Sequence, residues 1–312
     1  MNKIYYIKNI NINRQKWDDC VSNSVNSRVY GLSWYLDIVC KNWDGIVIDD
    51  YEIVFPVIFK KIFFLKKLYH PLFCQQLGFF YKNEKKITKD FIYSFHDKIL
   101  RSYYKNFTYH STSEFFILSK KTLSENLIND LSVIKRNNFQ LNLNRSYEEI
   151  SKGYNKNTIR NLKKSKNYNF KIINNLEVDL FMNLFKTNNQ IKKSIGRNFF
   201  FKKTNYLIIR NLITECLKKN KGELIGVCDE VGVTVSAAFF LSSFNHKIML
   251  FNITLPNSKK SHSMTYLIDS FIKINSNKKI IFDFEGSNIK GVKNFYSGFG
   301  SKNNPYFLVK SN

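Results

Sequence analysis

The sequence predicts an α+β protein of two domains, each with a mixed central sheet flanked by helices. At 312 residues the chain is long enough for two domains of ordinary size. Hydrophobic residues make up 44% of it and aromatic residues 16%, as is typical of a globular protein with a sizeable core. The two halves also share one order of predicted elements, β-α-α-β-β-β-α-β-α-β. We therefore expect two related domains, residues 1–145 and 146–312.

In the first half, short apolar segments bounded by turn residues are predicted as strands, and segments whose apolar residues recur every three or four positions are predicted as helices. The predicted strands are residues 3–7, 43–48, 52–59, a segment within 68–80, 115–118 and 139–143. The predicted helices are residues 14–24, 33–42, 88–104 and 122–136.

The second half repeats these patterns. Its predicted strands are residues 170–173, 223–228, 233–242, 247–254, 280–285 and 306–309. Its predicted helices are residues 146–167, 177–191, 203–219, 262–275 and 288–300. Because no Pro-, Gly- or Ser-rich linker separates the halves, we expect them to pack closely and to leave a cleft.

The chain is strongly basic, with a formal net charge of +25. Lysine supplies 41 of the 49 basic residues, and Asn, Ile, Phe and Tyr are also abundant. These residues share AT-rich codons, so genome composition accounts for part of the charge. A field this positive still favours anionic partners, although it does not by itself indicate nucleic acid.

The five cysteines, Cys20, Cys40, Cys74, Cys216 and Cys228, are far apart and form no pair with metal-ligand spacing. We therefore expect a reduced, cytoplasmic protein without a metal site. The N-terminal residues lack the apolar core of a signal peptide. No uninterrupted apolar stretch reaches the ~20 residues of a membrane-spanning helix, so no integral membrane association is expected.

Candidate chemistry concentrates near the end of the chain, in residues 280–300. The alternating strand at 280–285 places the carboxylates of Asp283 and Glu285 on one side. Gly286 breaks the strand, and Ser287 can cap the helix that follows. Carboxylates beside a helix N-terminus can pair a proton acceptor with a site for an anion or oxyanion. The alternative is a turn with two solvated strand residues.

The helix after Ser287 carries one apolar stripe, made of Ile289, Val292, Phe295, Tyr296 and Phe299. The chain has only 12 glycines, and four of them fall between positions 286 and 300. This concentration indicates tight backbone geometry.

The same stretch resembles the C-terminal signature of Fem-type transferases, in which two acetyltransferase-like GNAT folds lie in tandem. The resemblance rests on Phe-Asp-Phe-Glu-Gly-Ser-x-Ile-x-Gly at residues 282–291 and on Phe-Tyr-x-x-Phe-Gly at 295–300. Glu285 stands where many Fem proteins have glycine, and Tyr296 where they tend to have lysine. The chain is more similar to uncharacterised bacterial GNAT-type proteins predicted as acetyltransferases.

Segments of the first half are similar to the same predicted acetyltransferases. They are Ser-Trp-Tyr-Leu-Asp at residues 33–37 with Trp-Asp at 43–44, and Pro-x-x-x-Gln-Gln-Leu-Gly at 71–78. Trp34 and Tyr35 beside a turn are most often core residues. Gln75 and Gln76 face opposite ways on a strand, so one of them is expected to be buried and to need a partner that a substrate can supply.

The resemblance implies roles for particular residues. Glu285 is expected to be the general base or the residue that positions the amine, Ser287 with the following N–H groups to stabilise the oxyanion, and Tyr296 to protonate the leaving group. In GNAT enzymes a loop before a helix holds the pyrophosphate of acyl-CoA. The corresponding donor loop here comprises residues 256–264 and lacks the usual glycines. Its candidate cofactor-binding residues are Asn257, Lys259, Lys260, Ser261 and Ser263.

A basic stripe on the predicted helix 146–167 consists of Lys156, Arg160, Lys163 and Lys164. Such a stripe is more often a solvated face than a phosphate site. Arg160 is the exception that we expect to bind substrate, because Arg is rare here and its planar fork suits phosphate or carboxylate. The other candidate substrate-binding residues are Gln75, Gln76, Trp34, Tyr35 and Asp283.

The sequence therefore predicts an N-acyltransferase that moves an acyl group from acyl-CoA to a small-molecule or peptide amine. No permanently bound cofactor is expected. Two alternatives remain open: a Fem-type enzyme that uses aminoacyl-tRNA as the donor, and a non-catalytic anion-binding protein with the same fold.

Overall fold

The computed structural model describes residues 3–40, 42–62, 65–100, 103–104, 106–115, 131–194, 201–286 and 288–311. It divides into two compact units. Unit 1 comprises Met1–Asn137 and Asn304–Asn312, and unit 2 comprises Asn138–Asn303. Unit 2 thus begins eight residues before the expected boundary, since residues 139–142 pair within its sheet. Residues 306–311 pair within unit 1.

The strands, in chain order, are β1 (Ile4–Ile7), β2 (Trp43–Ile48), β3 (Ile53–Ile62), β4 (Leu65–Leu68), β5 (Phe80–Tyr81), β6 (Thr108–Ser111), β7 (Leu131–Arg136), β8 (Phe139–Asn142), β9 (Lys171–Ile173), β10 (Gly222–Cys228), β11 (Thr234–Ser243), β12 (His246–Thr254), β13 (Ile281–Asp283), β14 (Lys302–Asn303) and β15 (Tyr306–Ser311). The mixture of these strands with the helices below confirms the predicted α+β class.

The α-helices are α1 (Arg14–Ser22), α2 (Ser33–Val39), α3 (Lys89–Ser94), α4 (Tyr147–Ser151), α5 (Lys156–Ser165), α6 (Val178–Ser194), α7 (Lys203–Lys218), α8 (Ser263–Asn275) and α9 (Lys290–Ser297). A π-helical stretch, Phe95–Leu100, continues α3. Short 3-10 helices cover Asn9–Asn11, Val29–Gly31, Glu84–Lys86, Lys166–Tyr168 and Pro256–Ser261.

Unit 1 contains two antiparallel sheets. In the first, the strand order is β1-β2-β3-β4, and β5 also pairs with β3. In the second, β15 lies between β6 and β7. Phe55, Phe79 and Phe95 lie at the centre of the unit 1 core, with ring centroids 4.3–5.1 Å apart. This aromatic packing explains why so many phenylalanines of the first half are buried.

Unit 2 is built on one seven-stranded sheet of order β14-β8-β13-β12-β11-β10-β9. All neighbours are antiparallel except β12 and β13, which are parallel and are connected through α8. The apolar stripe of α8 packs on this sheet, and Phe271 stacks on Phe240 with ring centroids 3.8 Å apart. The predicted stripe of Met264, Leu267, Ile268, Phe271 and Ile272 is buried throughout.

Two predicted helices differ from the structure. The helix expected over residues 146–167 is interrupted, because Asn155 caps a new helix, α5, by accepting a hydrogen bond from the Thr158 N–H. The prediction of a helix over 122–136 is wrong for residues 131–136, which form β7 and pair with β15. Residues 122–130 lie outside the described part of the chain.

The predicted strands at 68–80 and 115–118 also differ. Within the first segment only Leu68 and Phe80 belong to strands, β4 and β5, and the stretch between them forms a loop with one isolated bridge at Leu77. Of the strand expected at 115–118 only residue 115 is described, and it belongs to the helical residues 113–115, whereas β6 lies before them. Residues 116–118 are not among those described.

All five cysteines are buried and none forms a disulfide. Within the described ranges, no three His, Cys, Asp or Glu side chains come together as a metal-binding group. No helix in the described part of the chain has the length and apolar character needed to cross a membrane.

Candidate functional site

Unit 2 contains a pocket of about 510 Å³ on the side of the sheet where α8 begins. Polar and apolar side chains share its surface. The lining residues are Asn161 of α5, Asn252 and Thr254 of β12, Lys259, His262 with Ser263, Met264 and Thr265 at the start of α8, and Gly291, Val292, Phe295 and Tyr296 of α9.

The pocket forms where two parallel strands part. β12 pairs with β13 only over His246–Ile248, because β13 ends at Asp283. β12 continues to Thr254 with no strand beside this edge among the described residues. Backbone N–H and C=O groups on such an edge are available to an extended ligand.

The N-terminus of α8 opens onto this pocket. His262 precedes the helix in a left-handed conformation, with φ of +59°, and turns the chain from the 3-10 helix into α8. The buried Ser263 hydroxyl lies 2.6 Å from that of Ser236 and anchors the first turn on β11. The first N–H groups of an α-helix have no partner within the helix, so this end favours an anion.

Cationic side chains surround the same helix end. Lys259 is exposed and lines the pocket. Burial lowers the pKa of His262 below its usual value, and the nearby charges of Lys164 and Arg160 lower it further. The charge of the predicted residue Arg160 thus acts on His262, but Arg160 is not among the lining residues, and its Nη2 donates to Asn157 Oδ1 at 2.6 Å. The site thus has a positive rim at the start of α8.

Tyr296 lines the pocket from α9, and the charge of Glu285 acts on its phenol. Tyr296 is 8% exposed, and burial raises its pKa to about 12. Asn252 Nδ2 donates to Tyr296 Oη at 3.5 Å, and the carboxylate of Glu285 is near enough to raise that pKa further. A tyrosine with this pKa stays protonated at neutral pH and can donate a proton.

The turn that carries Glu285 differs from the predicted strand. β13 ends at Asp283, and Glu285 adopts a left-handed φ of +57°. Its N–H donates to Asp283 Oδ1 at 2.8 Å, and its carbonyl accepts from the Phe139 N–H at 3.1 Å. Glu285 is therefore positioned by a turn, and not by strand alternation with Asp283.

Asp283 does not line the pocket. It is 3% exposed, and its Oδ2 accepts hydrogen bonds from Asn138 Nδ2 at 3.2 Å and from Gln140 Nε2 at 2.8 Å. Together with the bond from the Glu285 N–H, these contacts join β8 to the end of β13. Asp283 thus holds the turn that presents Glu285.

The donor-loop residues are placed differently from one another. Lys259 and Ser263 line the pocket, whereas Lys260 is exposed outside it. The Ser261 hydroxyl donates to the Ser258 carbonyl at 2.6 Å, so it closes its own turn. The side chain of Asn257 and the whole of Ser287 lie outside the described residues. The N-cap of α9 is Ile289, so the cap predicted at Ser287 was wrong.

The four candidates of the first half belong to unit 1 and do not line this pocket. Tyr35 is fully buried, its hydroxyl donates to the Phe73 carbonyl at 2.6 Å, and its ring lies 5.6 Å from that of Trp34. Gln76 is 1% exposed, and its Nε2 donates to Gln75 Oε1 at 3.0 Å. The Gln76 Oε1 atom is buried without a hydrogen-bond partner among the described residues.

Sequence reasoning missed Asn252 and His262 as site residues. Asn252 is the exposed polar position in the otherwise apolar run of β12, which is a usable signal. His262 lies inside the predicted donor loop, but nothing in the sequence indicates that it adopts a left-handed conformation.

Several solved structures share this fold. FemX aligns with a TM-score of 0.65 and 11% identity, covering 98% of this chain and 96% of FemX. A conserved protein of unknown function from Bacteroides thetaiotaomicron aligns with a TM-score of 0.64 and 9% identity, covering 100% of both chains. The C-terminal domain of a putative lysylphosphatidylglycerol synthetase from Agrobacterium fabrum aligns with a TM-score of 0.54 and 8% identity, covering 96% of this chain and 92% of that domain.

At these identities the likeness is one of fold. It confirms the resemblance to Fem-type transferases that the C-terminal signature indicated. No protein-family model matches the chain, and no curated protein sequence is similar to it.

Proposed function

We propose that this protein transfers an acyl group from acyl-CoA to an amine at the pocket of unit 2. The observation that carries the proposal is that one pocket combines the N-terminus of α8, the ammonium group of Lys259 and the phenol of Tyr296, while the charges of Arg160 and Glu285 act on its residues His262 and Tyr296. The first two features suit the phosphates of a donor, and the third suits proton transfer.

The donor lies along the open edge of β12. Its pyrophosphate meets the first N–H groups of α8, with Lys259 and Arg160 supplying positive charge. Its amide-containing arm pairs with the backbone of β12 beyond Ile248, where β13 has ended. This arrangement directs the thioester towards Tyr296. The missing loop glycines are offset by the left-handed His262, which makes the turn that a glycine otherwise makes.

Glu285 and Tyr296 then divide the proton transfers. Glu285 accepts a proton from the attacking amine as the nitrogen bonds to the acyl carbon. The C–S bond breaks, and Tyr296 gives its proton to the departing thiolate. Transfer of the proton from Glu285 to the Tyr296 phenolate then restores both groups, and the effect of the Glu285 charge on this phenol supports such an exchange. The products are an amide and the free thiol of CoA.

Aminoacyl-tRNA is a second candidate donor, favoured by the charge of α5 and its neighbours. Between Glu149 and Glu177 the sequence has seven basic residues and no acidic one. Lys156, Arg160, Lys163 and Lys164 are all exposed on α5. This face extends beyond the pocket and suits a polyanion larger than CoA. The Fem-type resemblance is consistent with such a donor.

The donor is tested by measuring the melting temperature of the protein with acetyl-CoA, a longer acyl-CoA and aminoacyl-tRNA. We expect an acyl-CoA to raise it, with mild salt dependence. Lys259→Gln should weaken this binding about tenfold, the range of one charge-assisted hydrogen bond. Lys260→Gln is the matched control, because it removes the same charge next to the pocket, and it should bind almost as well as wild type.

Glu285→Gln separates an enzyme from a binding protein. It should keep the ligand-induced rise in melting temperature but lose turnover by about 10²-fold or more. Undiminished turnover would contradict the assigned base. Binding of aminoacyl-tRNA that falls ~10³-fold or more from low to moderate salt, with no acyl-CoA binding, would replace the proposed donor by the second candidate.

A further inference from the structure

The wall of the unit 2 pocket around Tyr296 is apolar on the side of α9. Val292, Phe295 and Tyr296 of this helix line the pocket, and Met264 lines it from α8. Residues three and four positions apart share one face of a helix, so Val292 and Phe295 extend the surface of Tyr296 towards the start of α9. Met264 and Tyr296 are each 8% exposed, whereas Val292 and Phe295 are half-buried. Most of the apolar surface that stays open beside the phenol therefore belongs to Val292 and Phe295.

This surface lies where the acyl group of the proposed donor continues past the thioester. Tyr296 is the proposed proton donor to the departing thiolate, so the thioester must lie next to its hydroxyl. Val292 comes four residues before Tyr296, about 6 Å along the helix, and Gly291 lies one residue further on. An acetyl group extends a single carbon beyond the thioester and cannot cover this distance. An unbranched chain of about six carbons, with bonds of about 1.5 Å, can do so.

Gly291 leaves the same wall open at the start of α9. It is the second residue of the helix and lines the pocket, and a side-chain carbon there would meet no atom within 4 Å. Neither a positive φ nor a close neighbour among the described residues requires glycine at this position, although glycine is unfavourable in a helix. A chain that passes over Gly291 gives a reason for the missing side chain.

The lining residues also indicate that the acyl group is uncharged. No acidic residue is among the described residues that line the pocket, and Lys259 repels a further cation. An ammonium group, as carried by an aminoacyl donor, would lose its water against Val292 and Phe295 without gaining a carboxylate. Glu285, whose charge acts on Tyr296, is already assigned to the attacking amine. The wall therefore favours a hydrocarbon chain.

We propose that the transferred acyl group is an unbranched hydrocarbon chain longer than acetyl, which lies along α9 over Phe295, Val292 and Gly291. The inference rests on the proposed function, because it names the acyl class that the same donor carries. Each methylene group that leaves water raises the affinity about fourfold. Hexanoyl-CoA has four methylene groups more than acetyl-CoA, and covering half of them gives about 16-fold tighter binding.

The inference is tested by isothermal titration of the full chain with CoA, acetyl-CoA and hexanoyl-CoA. We expect hexanoyl-CoA to bind about 16-fold more tightly than acetyl-CoA. Gly291→Leu fills the opening, so the ratio of these two affinities should fall to about 1–2. Asn294→Leu is the matched control, because it places the same side chain at an exposed position of α9 outside the pocket lining. Its ratio should equal that of the wild type.

A stability measurement excludes unfolding as the cause. Leucine favours a helix more than glycine does, so Gly291→Leu should unfold at no lower temperature than the wild type. Val292→Thr keeps the shape of the wall but replaces one methyl group by a hydroxyl, so it should lower the affinity ratio about fourfold.

Two results would overturn the inference and leave the proposed function standing. They are equal affinities of the wild type for acetyl-CoA and hexanoyl-CoA, and an affinity ratio that Gly291→Leu does not change. Absence of binding by CoA and by both of its thioesters would instead contradict acyl-CoA as the donor, and with it this inference.

Discussion

Two glycines directly after α9, Gly298 and Gly300, allow the chain there to lie close to the start of α5. A side-chain carbon at Gly298 would lie 2.5 Å from Thr158 Oγ1. Gly300 has a φ of +74°, and a carbon added there would lie 3.0 Å from the Gly153 carbonyl oxygen. The Asn155 N–H donates to the Gly298 carbonyl at 2.9 Å across this contact. The cluster of glycines thus joins α5, which carries Arg160, to α9, which carries Tyr296.

Replacing Gly300 by Ala should therefore destabilise unit 2 by about 1–3 kcal/mol, because alanine must adopt a positive φ against a backbone neighbour. Gly291→Ala is the matched control, since a carbon at Gly291 meets no atom within 4 Å. Chemical denaturation of both variants measures the difference. Equal loss of stability in the two variants would refute this account of Gly300.

At this scale the sequence led to part of the candidate site, whose residue roles stay predictions. The spacing of the apolar stripe identified Tyr296, and the signature identified Glu285, which the structure places near that phenol. The turn at Glu285 was not predicted, because non-glycine residues rarely adopt a left-handed conformation. The substrate role expected for Asp283 stays a prediction, although its hydrogen bonds give it a structural role that sequence alone could not show.

Two stacked histidines join the loop before β5 to β6. The rings of His70 and His110 lie 3.7 Å apart. His70 Nδ1 accepts from the His110 N–H at 3.3 Å, and its Nε2 donates to the Cys74 carbonyl. His110 Nδ1 donates to the Gln75 carbonyl at 3.0 Å, and the Leu77 N–H donates to the His110 carbonyl at 2.9 Å. These contacts require a neutral His70, whose Nδ1 must remain an acceptor.

Acid should weaken this contact between the loop and β6. Burial lowers the pKa of His110 to about 4, and Arg136 lowers it further, whereas its Gln75 hydrogen bond opposes the shift. Burial and the neighbouring His110 lower the pKa of His70 as well. In the unfolded chain His110 binds a proton below pH ~6.5, whereas in the folded protein it does so only near pH 4. The stability of unit 1 should therefore fall as the pH decreases between these values, by at most about 1.4 kcal/mol per pH unit for this histidine.

Urea denaturation of unit 1 at several pH values measures this dependence. His110→Phe keeps a flat ring against His70 but removes the titrating group, so its stability should change less steeply between pH ~6.5 and ~4. An unchanged slope in His110→Phe would show that other groups cause the dependence.

Elements with local signals were predicted well, and those that depend on distant partners were not. The stripe of α8 follows from its helical period, and the strands β10 to β12 follow from short apolar runs separated by turn residues. β7 was predicted as a helix because its pairing partner, β15, comes about 170 residues later in the chain. Local periodicity contains no information about such a partner.

At the scale of the whole molecule, unit 1 depends on a strand from the other end of the chain. β15 lies between β6 and β7 and pairs with both along its length. The Ser311 hydroxyl accepts from the Phe107 N–H at 3.1 Å, and Val309 is buried in the core of unit 1. Without β15, β6 and β7 would each lose their partner in this sheet.

Deleting Asn304–Asn312 should therefore expose the amides of β6 and β7 to solvent while those of β10 to β12 stay protected. Hydrogen–deuterium exchange followed by peptide analysis measures both sets in one experiment, so unit 2 serves as the internal control. Unchanged protection of β6 and β7 after the deletion would contradict this dependence.

The position of β15 also determines the order in which the polypeptide can mature on the ribosome. Residues 138–303 are synthesised before Tyr306 emerges, so all strands of the seven-stranded sheet are present while the three-stranded sheet still lacks its centre. β6 and β7 are translated early, but neither can form its pairing with β15 until residues 306–311 have been made. Unit 1 can thus complete its fold only after residues 306–311 have been made, although most of its residues are translated first.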